Sequence, residues 1–366
     1  MTPAAPQDSD STTDKVASTE SSTPRSSIPF PGSKHQPFPL EHDYTWITAV
    51  EAASSTLTVP PVLQTLVRNS WNGIFTTHDF IHHAGFTGWN SRCLLRAADM
   101  QANAEKVTIK EITQAIDRLG VRMAATVAAI NFTCYQLLLL KPPQALWTPL
   151  FKEMMTEIEV GFQFGAQADG LGGEGGMLMG FARCAGLAVL LAKYPREYAE
   201  WHASTQGVDT RRSALVTFGC EPYQVGSALL QQLGFGPEAA IGSALGTGDL
   251  RYDVAQQNDR LIRWRAAHHW IRTLLRGSCA PNDPQARSAF PKLIPPSESQ
   301  PLPAQLESLY SLIALIRRNG SQWLWHLPAS SYDDSANLVV ERKMAEPTSY
   351  KTKSGLFIDK RDISQK

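Results

Sequence analysis

The sequence predicts an all-α fold, and three observations carry that expectation. Apolar residues recur at i, i+3, i+4 and i+7 through the central chain and rarely alternate with the period of two that a half-buried strand requires. Pro, Gly, Ser, Thr and Asn punctuate the chain where helices start and stop. The 366 residues are 43% hydrophobic and 19% charged, enough apolar surface for a sizeable core.

The elements follow in chain order. Residues 1–43 are rich in Ser, Thr, Pro and Asp, hold few large apolar side chains, and are expected to be a disordered tail. Residues 44–277 are expected to form one helical domain. Pro60 and Pro61 open a helix with Val62, Leu63, Leu66 and Val67 on one face. Thr76 or Thr77 caps a helix containing His78 and Asp79, and Asn90 or Ser91 caps the next. Thr108 and Glu111 have capping-box spacing and open a helix to Leu119 that Gly120 ends. A long apolar helix runs from Val121 to about Leu140 and stops at Pro142 and Pro143. Another spans about Leu150 to Ala168, and Gly170 to Gly176 reads as a flexible connector rather than a phosphate loop, since no strand precedes it. Helices ending near Tyr194, Ala203, Gly219, Leu233, Leu245 and Arg276 complete the domain. Residues 278–302, rich in Pro and Ser, read as a linker. The remainder, 303–366, is expected to hold one helix and a tail. In that helix Leu306, Leu309, Leu312, Ile313 and Ile316 share a face before Gly320, and short patches at 336–340 and 355–358 can form strands or dock on the body.

Net charge is +0 and the isoelectric point is about 7.1, so no nucleic-acid or anionic-membrane partner is expected. Cys93, Cys134, Cys184, Cys220 and Cys279 are widely spaced without a CxxC pair and read as buried thiols of a reducing compartment. The first residues lack the basic and apolar regions of a signal peptide. Met123–Leu140 reaches the minimum length of a membrane span, but Thr126, Asn131, Thr133 and Gln136 favour a buried core helix. A cytoplasmic location is the expectation.

Other chemical signals are thin. His78 and His82 at i, i+4 can share a zinc ion, but the zincin pattern needs Glu where Asp79 stands, plus a third ligand, so a surface histidine cluster with His83 is expected. No Gly-x-Ser-x-Gly elbow is present. Arg265, Arg272 and Arg276 lie on one stripe of a helix without acidic residues, beside an apolar face. They read either as a solvated basic edge or as a site for a nucleotide or other anionic partner. Trp323 and Trp325 can anchor a partner or dock within the chain.

Several segments in register resemble the HDOD family, a helical relative of metal-dependent HD phosphohydrolases found in bacterial signalling proteins. They are Leu57 to Gln64 with its Pro60-Pro61 pair; Leu94, Leu95, Arg96, Ala98 and Asp99; Ile112, Ala115, Ile116, Leu119 and Gly120; Glu174 to Glu200, with Gly180, Gly186, Pro195, Glu197 and Tyr198; and Val225 to Pro237. The resemblance covers about Ser55 to Leu245. It implies an HD-like core, and it locates the degenerate metal positions at Glu153, Arg183, Cys184 and Pro222. An HD enzyme has a His-Asp pair where this chain has Arg183 and Cys184. Arginine does not lose its proton in a protein and cannot ligate a metal. The chain also departs from the family at Thr87-Gly88, Phe151 to Met154, Gly219 to Pro222 and Gly246-Thr247. The resemblance therefore implies a non-enzymatic regulatory protein, with no catalytic residues, metal or cofactor. It would act as an adaptor for other signalling proteins, such as cyclic-di-GMP turnover or response-regulator proteins, or for a small signal. A nucleotide or anion sensor built on the 260–276 helix and a residual metal-dependent phosphohydrolase are the alternatives.

Overall fold

Fifteen helices and one short hairpin make up the computed structural model over residues 45–84, 88–102, 109–205, 210–245, 259–282, 284–296, 301–321, 323, 349–351 and 357–359, the residues it describes. Contacts divide the chain after Phe38, and all described residues lie in the second unit, Pro39–Lys366. The tail expected over 1–43, Thr108, Trp325 and the patch at 336–340 fall outside the described residues.

The first helices are α1 (Thr45–Ser54), α2 (Pro61–Trp71), α3 (Thr77–Ala84), α4 (Gly88–Ala102), α5 (Ile112–Leu119) and α6 (Val121–Leu139). They lead into α7 (Gln144–Gly165), α8 (Gly172–Lys193), α9 (Pro195–Ser204), α10 (Thr210–Phe218), α11 (Pro222–Gln232), α12 (Pro237–Leu245) and α13 (Asp259–Leu275). Helices α14 (Pro284–Leu293) and α15 (Leu302–Asn319) follow. Strands β1 (Ser349–Lys351) and β2 (Phe357–Asp359) pair antiparallel with Tyr350 opposite Ile358. The fold is all-α, as the periodicity predicts.

Local chemistry sets the helix ends. Pro61 occupies the first turn of α2, where its missing N–H is no loss. Leu66 and Val67 are buried, but Val62 is 57% exposed, so the expected apolar face starts one turn late. Thr76 caps α3: its N–H donates to Asp79 Oδ2 at 3.0 Å, and the Asp79 N–H donates to Thr76 Oγ1 at 3.3 Å. Glu111 is the N-cap of α5 and makes no side-chain cap bond. Gly120, at φ +78°, turns the chain from α5 into α6, a conformation that costs glycine little.

Helix α6 shows how polar residues enter the core. The hydroxyls of Thr126 and Thr133 donate to the carbonyls of Arg122 and Ala129, both at 2.9 Å, and the helix is buried along most of its length. Helix α8 is the one described helix long and apolar enough to cross a membrane, and 89% of that window is buried inside the protein.

Several expectations change. Asn90 and Ser91 lie inside α4, which starts at Gly88, so neither caps it, and α7 starts at Gln144, ahead of the expected Leu150, with Pro149 inside its first turns. The glycine-rich stretch is not a connector through Gly176, because α8 begins at Gly172. The expected linker contains α14, whose Phe290 and Leu293 enter the core together with Ile294. Cys279 is exposed, while the other four cysteines are buried and free.

The reason the stretch is helical lies in α7. A Cβ on Gly176 would stand 1.8 Å from the Gly161 carbonyl oxygen, and one on Gly180 would stand 2.0 Å from that of Glu157. Glycine lets the α7 and α8 backbones touch where side chains would hold helix axes ~8–10 Å apart. On the opposite side, a Cβ on Gly186 would lie 1.8 Å from the Pro222 carbonyl oxygen, and one on Gly226 would lie 1.9 Å from that of Ala182. Helix α8 is thus held between α7 and α11. A single apolar cluster runs from Val50 on α1 to Ile316 on α15.

Candidate functional site

Four helices converge on the α8 position that the resemblance singles out. Glu153 and Glu157 stand one turn apart on α7, a spacing that puts both on one face. Arg183 and Cys184 come from α8, Pro222 and Tyr223 from the first turn of α11, and His268 and Arg272 from one face of α13.

The centre is an ion-pair network. Arg183 Nη2 donates to Glu157 Oε1 at 2.6 Å and also to Glu153 Oε1, and Arg183 Nε donates to Glu157 Oε2 at 3.4 Å. Arg272 Nη1 donates to the same Glu157 Oε1 at 2.6 Å. The Glu157 side chain is 5% exposed and that of Arg183 17%, whereas Glu153 is 51% exposed and marks the solvent side. Two carboxylates and two guanidiniums leave the cluster without net charge.

Electrostatics fix the protonation states. Burial pushes the Glu157 carboxyl up, but Arg183 and Arg272 outweigh it and hold the pKa at about 2. Burial works against the Arg183 cation, and Glu157 reverses that, so Arg183 is held charged. Cys184 is a thiol, raised first by burial and then by the Glu157 charge. Burial raises Tyr223. His268 is pushed down to about 3 by burial, then by Arg272, and is neutral. Its Nε2 lies 3.3 Å from the Tyr223 hydroxyl, and its Nδ1 is buried without a partner.

A metal ion is what this position holds in an HD enzyme. The donor atoms of Glu153, Glu157 and Cys184 do lie within 4.8 Å of one another, close enough for one ion. The residues nevertheless do not fit it. Arg183 Nη2 reaches both carboxylates and lies 3.7 Å from the Cys184 sulfur, so a fixed cation already sits among the three donors. A divalent ion there would face that charge, with Arg272 adding a second, and a protonated thiol is a poor ligand.

Of the residues anticipated from sequence, Glu153, Arg183 and Cys184 come together, and Pro222 adjoins them through its contact with Gly186. The basic stripe does not act as one unit. Arg272 turns inward to Glu157, Arg265 is half-buried and Arg276 is exposed. The α3 histidines form an exposed cluster: Asp79 is engaged by Thr76, and His83 Nδ1 lies 2.9 Å from the Asp79 carbonyl oxygen. Trp323 docks within the chain, with its ring 4.5 Å from that of Phe162. Sequence reasoning missed Glu157, Tyr223 and His268. The available signal was the Glu153/Glu157 spacing on α7, which sets both carboxylates on one face.

No protein-family model matches the chain, and no curated protein matches it. Solved structures do. A Shewanella amazonensis SB2B protein that bears a provisional phosphohydrolase name is 16% identical, with a TM-score of 0.53 over 79% of this chain and 100% of its own. A Geobacter sulfurreducens HDOD domain protein of unknown function is 14% identical, with a TM-score of 0.48 over 66% of this chain and 82% of its own. A second Shewanella amazonensis protein, provisionally named a metal-dependent phosphohydrolase, is 15% identical, with a TM-score of 0.42 over 74% and 98%. The first of these likenesses shows the fold. The chain shares the all-α fold of that Shewanella amazonensis protein.

Proposed function

We propose that this HD-related domain is a non-enzymatic regulatory module, a pseudoenzyme of bacterial signalling that acts in the cytoplasm by binding other proteins. One observation carries the reading: a guanidinium, that of Arg183, stands among Glu153, Glu157 and Cys184 where a phosphohydrolase of this fold needs a metal. Metal-dependent phosphoester hydrolysis requires an ion that polarises phosphate and activates water. Here the cation is covalently part of the chain and offers neither an open coordination position nor a bound water. The close packing of α7, α8 and α11 around that centre supports a role as a scaffold. Partners of the kind that fit are cyclic-di-GMP turnover and response-regulator proteins.

The test has two readouts. Purified full-length protein is assayed for metal by elemental analysis and for turnover of bis(p-nitrophenyl) phosphate with added Mn²⁺ or Mg²⁺. We expect well under one equivalent of metal and no turnover. Stoichiometric metal with hydrolysis that Glu157→Gln abolishes would overturn the reading. Capture from the native cell, with and without residues 1–40, then identifies the partner.

A further inference from the structure

The turn from α7 into α8, the first turn of α13 and the end of α14 border an open cavity of about 310 Å³. That is the small end of the ~300–1,000 Å³ typical of small-molecule pockets. It lies away from the Arg183 centre: Arg263 at the cavity and Arg272 at the centre are nine residues apart on α13, about 14 Å of helix.

The walls are of two kinds. Leu171, Leu293 and the ring of Trp264 supply apolar surface. Arg260 and Arg263, one turn apart on α13, line the same space. Arg263 Nη1 donates to Asp169 Oδ2 at 3.1 Å, so one carboxylate stands against two cations and the lining keeps a net positive charge. The cavity is also pre-formed. The Asp169 N–H donates to the Leu293 carbonyl at 2.6 Å and ties the α7–α8 turn to α14. Finally, Trp264 is 2% exposed, and its indole N–H is buried with no hydrogen-bond partner. The buried Trp264 ring is thereby a fixed wall of the cavity.

We infer that this cavity binds a small monocarboxylate with an apolar body, its ring or chain against Leu171, Leu293 and Trp264 and its carboxylate held by Arg260 and Arg263. A guanidinium recognises a carboxylate through paired N–H donors, and the bond is stronger than between neutral groups. The site is independent of whether the Arg183 centre is catalytically silent.

The test uses full-length protein and two probes of equal shape, benzoate and its neutral isostere benzamide. Binding is followed by calorimetry and by the Trp264 indole N–H resonance, assigned through Trp264→Phe. We expect saturable benzoate binding that moves this resonance, benzamide weaker by about tenfold or more, and a similar loss in Arg260→Gln and Arg263→Gln. Arg276→Gln, exposed at the far end of the helix, is expected to bind as the parent does. The proposal fails if benzoate shows no saturable binding tighter than about 1 mM. It also fails if benzamide binds equally well, or if the two arginine variants keep the parent's affinity. The three arginine variants change exposed side chains and Trp264→Phe a buried one, and the circular dichroism and melting temperature of each report whether it is folded.

Discussion

Glu157 and His268 make stability depend on pH in two separable windows. Glu157 has a folded pKa depressed from 4.5 to about 2, so its contribution is complete above pH 4.5 and is lost as pH falls toward 2. The difference corresponds to about 3 kcal/mol. His268 is depressed from 6.5 to about 3, so the unfolded chain takes up a proton below pH 6.5 that the folded chain refuses. Its effect has the same sign and begins earlier. Urea midpoints measured from pH 7.5 to 3 are therefore expected to fall in two stages. His268→Gln flattens the stage that starts near pH 6.5, and Glu157→Gln flattens the one below 4.5; unchanged slopes in both variants would contradict the assignment. Replacing Arg183 by Met leaves Glu157 with Arg272 alone. A buried pair broken from one side costs ~3–5 kcal/mol. With Arg183 at 17% exposure and a second cation in place, we expect about 2 kcal/mol. Arg183 and Cys184 were legible in the sequence because their motif positions are defined by neighbouring glycines. Glu157 was not, since a glutamate on a helix looks the same in sequence whether it faces solvent or a guanidinium.

At the scale of elements, the α7–α8 approach decides where those charges meet. Gly180→Ala places a methyl group 2.0 Å from a backbone oxygen that cannot rotate away, so the helices must part. We expect a loss of about 3 kcal/mol in chemical denaturation. Gly73→Ala is the comparison: it meets nothing within 4 Å but sits at φ +69°, and should cost only about 1 kcal/mol of backbone strain. Equal losses in the two variants would mean that backbone contact does not hold α8 in place. The glycine-rich stretch reads as a connector because glycine is a poor helix former in isolation. Its spacing of four at Gly172, Gly176 and Gly180, facing Gly161 and Gly165, was the cue to the opposite reading. The α14 helix was obscured by Pro284 and Pro291 in a Pro-rich segment, yet Phe290 and Leu293 bury regardless.

At the scale of the whole molecule, one apolar cluster joins α1 through α15, and this predicts a single cooperative unit rather than a body with an appended C-terminal piece. Ile313 on α15 is fully buried. Ile313→Ala is expected to cost about 3 kcal/mol and to lower hydrogen-exchange protection in α8 as well as in α15. Loss confined to α15 would show that the segment from 303 onward folds separately. The sequence by itself determined the helices and most of their ends, because caps, breakers and apolar periodicity act over a few neighbouring residues, and it showed Arg183-Cys184 where the resemblance expects a His-Asp pair. Only the tertiary structure decided that Arg183 lies among three potential metal donors and that Arg272 leaves its stripe to join Glu157. It alone decided that Arg260 and Arg263 border a cavity. Those outcomes join residues 26 to 115 positions apart at the ion-pair centre. They are set by how closely two glycine-faced helices can approach, a property of surfaces in contact and not of any one segment.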